Sequence, residues 1–177
     1  MTRVGILTLS DRAAAGEYED RSGPLIRALV VERLAAEIAE YAVIPDEFER
    51  IRDTLVAWAD QRRLDLILTS GGTGFAPRDV TPEATQAVLE RQAPGLVFAM
   101  LHSGLCVTPH AMLSRAAAGV RGRTLIVNLP GSPQAARENL ESILPALPHA
   151  LELLRQAPGA EAGHTFNSLA RNHPSHI

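Results

Sequence analysis

"LDLILTSGGTGFAPRDVTPEAT", residues 64–85, decides how the chain is read. It opens on an apolar run, Leu64 to Leu68, broken only by Asp65, as suits a strand buried on both faces of a sheet. It closes on Thr81-Pro82, which supplies an N-cap and a first-turn proline for an expected helix reaching about Arg91. The stretch between them holds Gly71, Gly72, Thr73, Gly74, Arg78 and Asp79. A plain strand-to-helix turn needs only about two to six residues. Such a loop calls for an explanation beyond chain reversal.

The same alternation continues on either side. "RVGILTL" (3–9) reads as a strand, followed by a polar loop over 10–24 with Pro24 expected at a first helical position. Leu25, Leu29 and Leu34 then continue as a helical face, and "AEYAVIP" (39–45) reads as a second strand. Asp46 with Glu49 three residues on forms a variant capping box before a helix carrying Ile51, Leu55 and Trp58. Pro94-Gly95 restarts a helical segment, and 114–129 reads as two short strands about Arg121-Gly122. Ser132 and Pro133 are expected as N-cap and first residue of a further helix, which Pro145 and Pro148 divide. The pattern predicts an α/β fold: three layers, a mainly parallel sheet with helices on both faces, Rossmann-like. One domain is expected over 1–158, with a flexible tail over 159–177 rich in Gly, Ala, His, Asn and Ser.

Composition narrows the chemistry. All 17 basic residues are arginine, which excludes a lysine P-loop, Schiff-base chemistry and a lysyl-nucleotide intermediate. Any anion is held by backbone amides, arginine or a metal ion. A net charge of −3 gives no general attraction to nucleic acid. Cys106 is the single cysteine, so neither an internal disulfide nor a multi-cysteine metal site is available. No apolar stretch approaches membrane-spanning length, the N-terminus reads as a strand and not a signal peptide, and a cytoplasmic location is expected.

In a parallel sheet, ligands bind beyond the carboxyl ends of the strands. Here those ends carry Ser10 and Asp11, then Asp46, then Gly71 to Gly74, then Pro130-Gly131-Ser132. Gly71, Gly72, Thr73 and Gly74 suit either a tight turn or a phosphate cradle built from successive N–H groups. Pro130, Gly131 and Ser132 suit a capped helix start or a second anion seat. Asp79 suits an Asx-type turn or a Mg²⁺ ligand, and Asp46 a helix cap or a second ligand. Asp11 is a third carboxylate at the same edge. His102 and His110 flank Cys106 without an acidic partner at matching spacing, which argues against a nucleophile there.

"TLSDRAAAGEYEDRSGP", "VIPDE", "LILTSGGTGFAPRDVTPEAT", "LSRAAAGVRG" and "LIVNLPGSP" resemble the molybdopterin adenylyltransferase family of molybdenum-cofactor biosynthesis, in order, from about residue 3 to 155. The resemblance implies adenylylation of molybdopterin by ATP with Mg²⁺, releasing pyrophosphate. It makes Asp46 and Asp79 the important aspartates and Ser114, in "LSR", a serine near molybdopterin. Arg21 in "EDRSGP" departs from the lysine frequent in relatives but keeps the charge. The resemblance also implies a homotrimer and dealings with other molybdenum-cofactor biosynthesis proteins. The alternative within the same fold is a molybdopterin-binding carrier or cofactor-insertion module that does not turn over ATP.

Overall fold

A computed structural model describes residues 1–156. The expected tail, and the boundary at 158, lie outside the described residues. Six strands form one sheet: β1 (Arg3–Leu9), β2 (Glu37–Ile44), β3 (Leu66–Ser70), β4 (Arg91–Gln92), β5 (Ala118–Arg121) and β6 (Thr124–Leu129). Their spatial order is β2-β1-β3-β6-β5-β4. The pairs β2–β1, β1–β3 and β3–β6 are parallel, and β5 is antiparallel to both β6 and β4.

Alternating side chains of the central strands build two cores. Val4, Ile6, Leu66, Leu68, Leu125 and Val127 point to one face. Residues of α2 (Ser22–Leu34), α5 (Pro94–Leu105), α6 (Pro133–Ile143) and α7 (Leu147–Leu154) cover that face. Leu7, Leu9, Ile67 and Ile126 point to the other, under α3 (Phe48–Val56), its π-helical continuation Ala57–Gln61, and α4 (Thr81–Gln86). Burial on both faces is why β1 and β3 read as runs and not as alternations. Gly5 is a packing glycine: a Cβ there would stand 2.7 Å from Trp58 Cε3.

Polar burial is satisfied where it ties elements together. Asn128 on β6 donates to Thr69 Oγ1 at 3.0 Å on β3 and to Thr85 Oγ1 at 2.9 Å on α4. Its Oδ1 accepts from Ala117 N at 3.0 Å. The bonds fix the strand beneath the glycine loop to the helix that follows it.

Several expected boundaries shift. The helix after Thr81 ends at Gln86, well short of Arg91, because Glu90 N and Ala93 N donate to Val120 and Ala118 carbonyls of β5. An edge strand replaces the last helical turn. Helix α2 begins at Ser22, two residues before Pro24. The expected loop over 10–24 also contains a short helix, α1 (Asp11–Ala14). Pro145 does divide the last helical stretch, into α6 and α7.

The chain leaves β1 toward β2 on one side, while β3 leads toward β6 on the other. The crevice at their carboxyl ends is therefore a topological switch point, the place where open α/β sheets bind ligands.

Candidate active site

A cavity of about 260 Å³ opens at this switch point. Ser10, Asp46, Gly71, Gly72, Asp79 and Gly131 line it, bringing together residues of four strand ends.

Asp46 is not a helix cap. Helix α3 starts at Phe48 behind Glu47, without a side-chain cap. Asp46 instead reaches back to the end of β1. Asp11 N donates to Asp46 Oδ2 at 3.0 Å, and Asp46 N donates to Asp11 Oδ1 at 3.1 Å. Arg78 grips Asp11 with Nε to Oδ2 at 2.9 Å and Nη2 to Oδ1 at 2.7 Å. The guanidinium holds the Asp11 carboxyl below its ordinary range, and the Asp46 N–H adds to this. Asp46 moves the other way: burial pushes it up, and the charges of Asp11 and Asp79 push in the same direction. Asp46 Oδ1 is buried and has no hydrogen-bond partner among the described residues.

The glycine loop explains why glycine is required. Gly71 has φ +106°, and a Cβ there would overlap the Leu9 carbonyl oxygen. Gly72 has φ +63°, and a Cβ there would overlap Thr81 Oγ1 and lie 2.9 Å from Asp46 Oδ1. Thr81 Oγ1 is the second buried oxygen without a partner among the described residues, because Thr81 is the first residue of α4, with Val80 in the cap position. Every carbonyl of Gly72 to Gly74 is engaged. Gly72 O accepts from Thr81 N at 3.1 Å, Thr73 O from Arg115 N at 2.9 Å, and Gly74 O from Arg115 Nε at 2.7 Å. The amides of these three residues have no acceptor among the described residues, whereas Gly71 N is taken by Leu129 O at 3.2 Å. Gly72 thus stands beside two orphaned oxygens, and its amide and those of Thr73 and Gly74 are open to an acceptor.

Asp79 makes the turn expected from sequence and also faces the cavity. Its Oδ2 accepts from Ala76 N at 3.0 Å, closing the turn, and the residue also lines the cavity. Ser132 keeps to its local role, its Oγ accepting from Ala135 N at 3.3 Å to cap α6.

Thr73, Gly74, Ser114 and Pro130 lie elsewhere, in a second and more apolar cavity of about 280 Å³ beneath α5 and α6. Ser114 follows the short helical turn Pro109–Leu113, four residues before β5 and not at the strand start expected from sequence, and its Oγ accepts from Ala116 N at 3.3 Å. The segments 71–74 and 130–131 thus wall both cavities, some residues facing each way.

Other residues of the site escaped sequence reading. Arg115 clamps the whole loop, adding Nη2 to Asp79 O at 2.6 Å and an ion pair to Glu83. It stands in the quoted "LSR", and the arginine-only inventory was the signal that would have found it. Asp20, at the back of the first cavity, accepts from Thr8 Oγ1 at 2.7 Å, Gly23 N at 3.0 Å, Ser22 Oγ at 3.1 Å and Tyr41 OH. Burial alone works upward on Asp20, yet these donors hold it below its ordinary range. The Tyr41 hydroxyl is pushed up by burial and by that carboxylate. Arg21 is the cationic residue lining the first cavity, and it forms no ion pair with the described residues.

The sequence and the fold match a known family. A family model described as "Probable molybdopterin binding domain" matches residues 5–149. Gephyrin of Dictyostelium discoideum is 48% identical over 164 residues, covering 88% of this chain but 23% of gephyrin. The molybdopterin adenylyltransferase of Helicobacter pylori strain J99 is 42% identical over 152 residues, covering 85% of this chain and 86% of that protein. Among solved structures, the molybdopterin biosynthesis enzyme MoaB of Thermus thermophilus superposes with a TM-score of 0.84 at 55% identity, covering 89% of this chain and 99% of that one. With the family model spanning most of its length, the chain belongs to the molybdopterin-binding-domain family of molybdenum-cofactor biosynthesis.

Proposed function

We propose that the protein is a Mg-ATP-dependent molybdopterin adenylyltransferase acting as a homotrimer in the cytoplasm, in concert with other proteins of cofactor biosynthesis. The observation that carries the reading is the partition: free amides of Gly72, Thr73 and Gly74 standing between a polar and an apolar cavity. A transferase that joins two phosphate-bearing substrates needs two seats with one shared wall.

In this reading ATP takes the first cavity and molybdopterin the second. The terminal phosphate oxygen of molybdopterin forms a bond to the α-phosphorus of ATP, and the bond from that phosphorus to the β-bridging oxygen breaks. The electron pair leaves with pyrophosphate. The chain's residues position and neutralise; none forms a covalent intermediate. The three amides hold phosphate oxygens, Arg21 meets the polyphosphate, and the Arg115 clamp keeps the wall rigid.

Mg²⁺ fits the donors present. Asp46 offers a buried oxygen without a partner among the described residues, and Asp79 stands in the same cavity. No group of three potential metal ligands from His, Cys, Asp and Glu occurs among the described residues. That matches an ion held by one or two carboxylates and the substrate's own phosphates, not a protein cage. When bound, it would neutralise charge on the phosphates.

Phe98 and Met112, 67% and 63% exposed, present apolar surface on α5 and just beyond it, suited to contact between subunits. The deciding experiment is ATP-dependent pyrophosphate release with and without molybdopterin. Release that depends on both supports the reading, whereas molybdopterin binding without release would make the chain a carrier or insertion module.

A further inference from the structure

The second cavity holds one charged side chain whose capacity is unspent. Several of its polar side chains are engaged locally. Asn139 Nδ2 donates to Ala135 O at 2.8 Å, Thr108 Oγ1 accepts from His110 N at 3.3 Å, and Ser114 Oγ accepts from Ala116 N. Glu138, half-buried on α6, is different. Its Oε1 accepts from Gln134 Nε2 at 2.9 Å, and its Oε2 has no donor among the described residues. Met100, Leu101, Ala111 and Leu113 line the same cavity, and an apolar lining strengthens any charge-assisted hydrogen bond formed in it.

We infer that Glu138 is the residue that selects the pterin head group of the second substrate. The inference rests on the adenylyltransferase reading and deepens it. A 2-amino-4-oxopteridine presents two donors side by side, its 2-amino group and N3–H. A carboxylate is an acceptor-only group with matching spacing. The same carboxylate repels phosphate. It therefore also sets direction: the ring edge lies toward α6 and the phosphate toward the amides of Thr73 and Gly74. A 2,4-dioxopteridine carries an oxygen where the amino group was, and it would face the carboxylate acceptor to acceptor.

The test uses the intact protein and the native fluorescence of two probes, 6-hydroxymethylpterin and its 2,4-dioxo analogue, 6-hydroxymethyllumazine. Wild-type protein should prefer the pterin by about tenfold to a hundredfold, the range for one charge-assisted donor pair. Glu138→Gln should lose most of that preference by weakening pterin binding, with its thermal midpoint unchanged. Gln134→Ala should keep the preference, because it frees the carboxylate without removing it. A preference equal in wild type and Glu138→Gln, or none in wild type, overturns the assignment. Pyrophosphate release by wild-type protein, measured alongside, separates that failure from failure of the adenylyltransferase reading.

Discussion

Asp46 and Asp11 clasp one another through reciprocal backbone-to-carboxylate hydrogen bonds, 3.0 and 3.1 Å long, that join the ends of β2 and β1. The clasp uses Asp46 Oδ2 and leaves Oδ1 buried beside Gly72, with no partner among the described residues. Two like charges are thereby held together, with Arg78 compensating only Asp11 directly. Such an arrangement weakens the ligand-free fold and favours a bound cation.

The Asp46 carboxyl is raised in the folded state, so folding favours its protonated form. The associated stability is present below the ordinary carboxylate range, near pH 4, and is lost as pH rises through the elevated folded value. Asp46→Asn should therefore raise the thermal midpoint at pH 7.5 in the absence of ligand, with the gain vanishing below about pH 4. The same variant should lose adenylyl transfer and any stabilisation by Mg-ATP. Melting curves across pH, with and without Mg-ATP, check both halves; a lower midpoint at pH 7.5 would contradict the first.

Asp79→Asn should leave the fold intact, since an amide oxygen can still accept from Ala76 N. If Asp79 holds Mg²⁺ as proposed, its loss costs several kcal/mol of transition-state stabilisation, so turnover should fall about a hundredfold to ten-thousandfold. Steady-state pyrophosphate release decides this. Near-normal turnover would reduce Asp79 to its turn.

Gly72→Ala should damage folding and ATP binding together. The backbone sits at φ +63°, and the added methyl would enter the space beside Thr81 Oγ1 and Asp46 Oδ1. Strain of this kind costs about 1–3 kcal/mol, and the thermal midpoint should drop by several degrees. Nucleotide titration by calorimetry should show little binding at concentrations that saturate the wild type.

Ser114→Ala separates the two cavities. Ser114 lines the second and not the first. The loss of one hydroxyl, worth up to about 3 kcal/mol against a charged phosphate, should weaken molybdopterin use about tenfold to a hundredfold and leave ATP affinity unchanged. Separate titrations of the two substrates read this directly; equal weakening of both would refute the placement.

The central strands are legible in the sequence because short apolar runs bounded by turn residues suit a doubly covered sheet: the run 3–9 coincides with the observed limits of β1, whereas the strand expected from 114 begins only at Ala118 and the edge strand β4 carries no such run. The clustering of Ser10, Asp46, Gly71, Gly72, Asp79 and Gly131 at one edge also follows from strand ends alone. Local rules fail where a distant group competes. Asp46 carries the signature of a helix cap, yet the amide of Asp11, 35 residues away in sequence, takes its carboxylate. Thr81 carries the same signature, but the chain starts its helix one residue early and leaves the hydroxyl toward Gly72.

What the amino-acid order determined by itself was the sheet, its carboxyl edge and the glycine loop, since periodicity and backbone freedom are local properties. Only the tertiary structure decided that this edge holds two cavities, with Ser114 in one and Asp79 in the other. It alone revealed that Arg115 binds both ends of the loop between them. Those facts depend on hydrogen bonds and charges between residues far apart in the chain. Their pairing is set by how the strands stack, which no window of neighbouring residues contains.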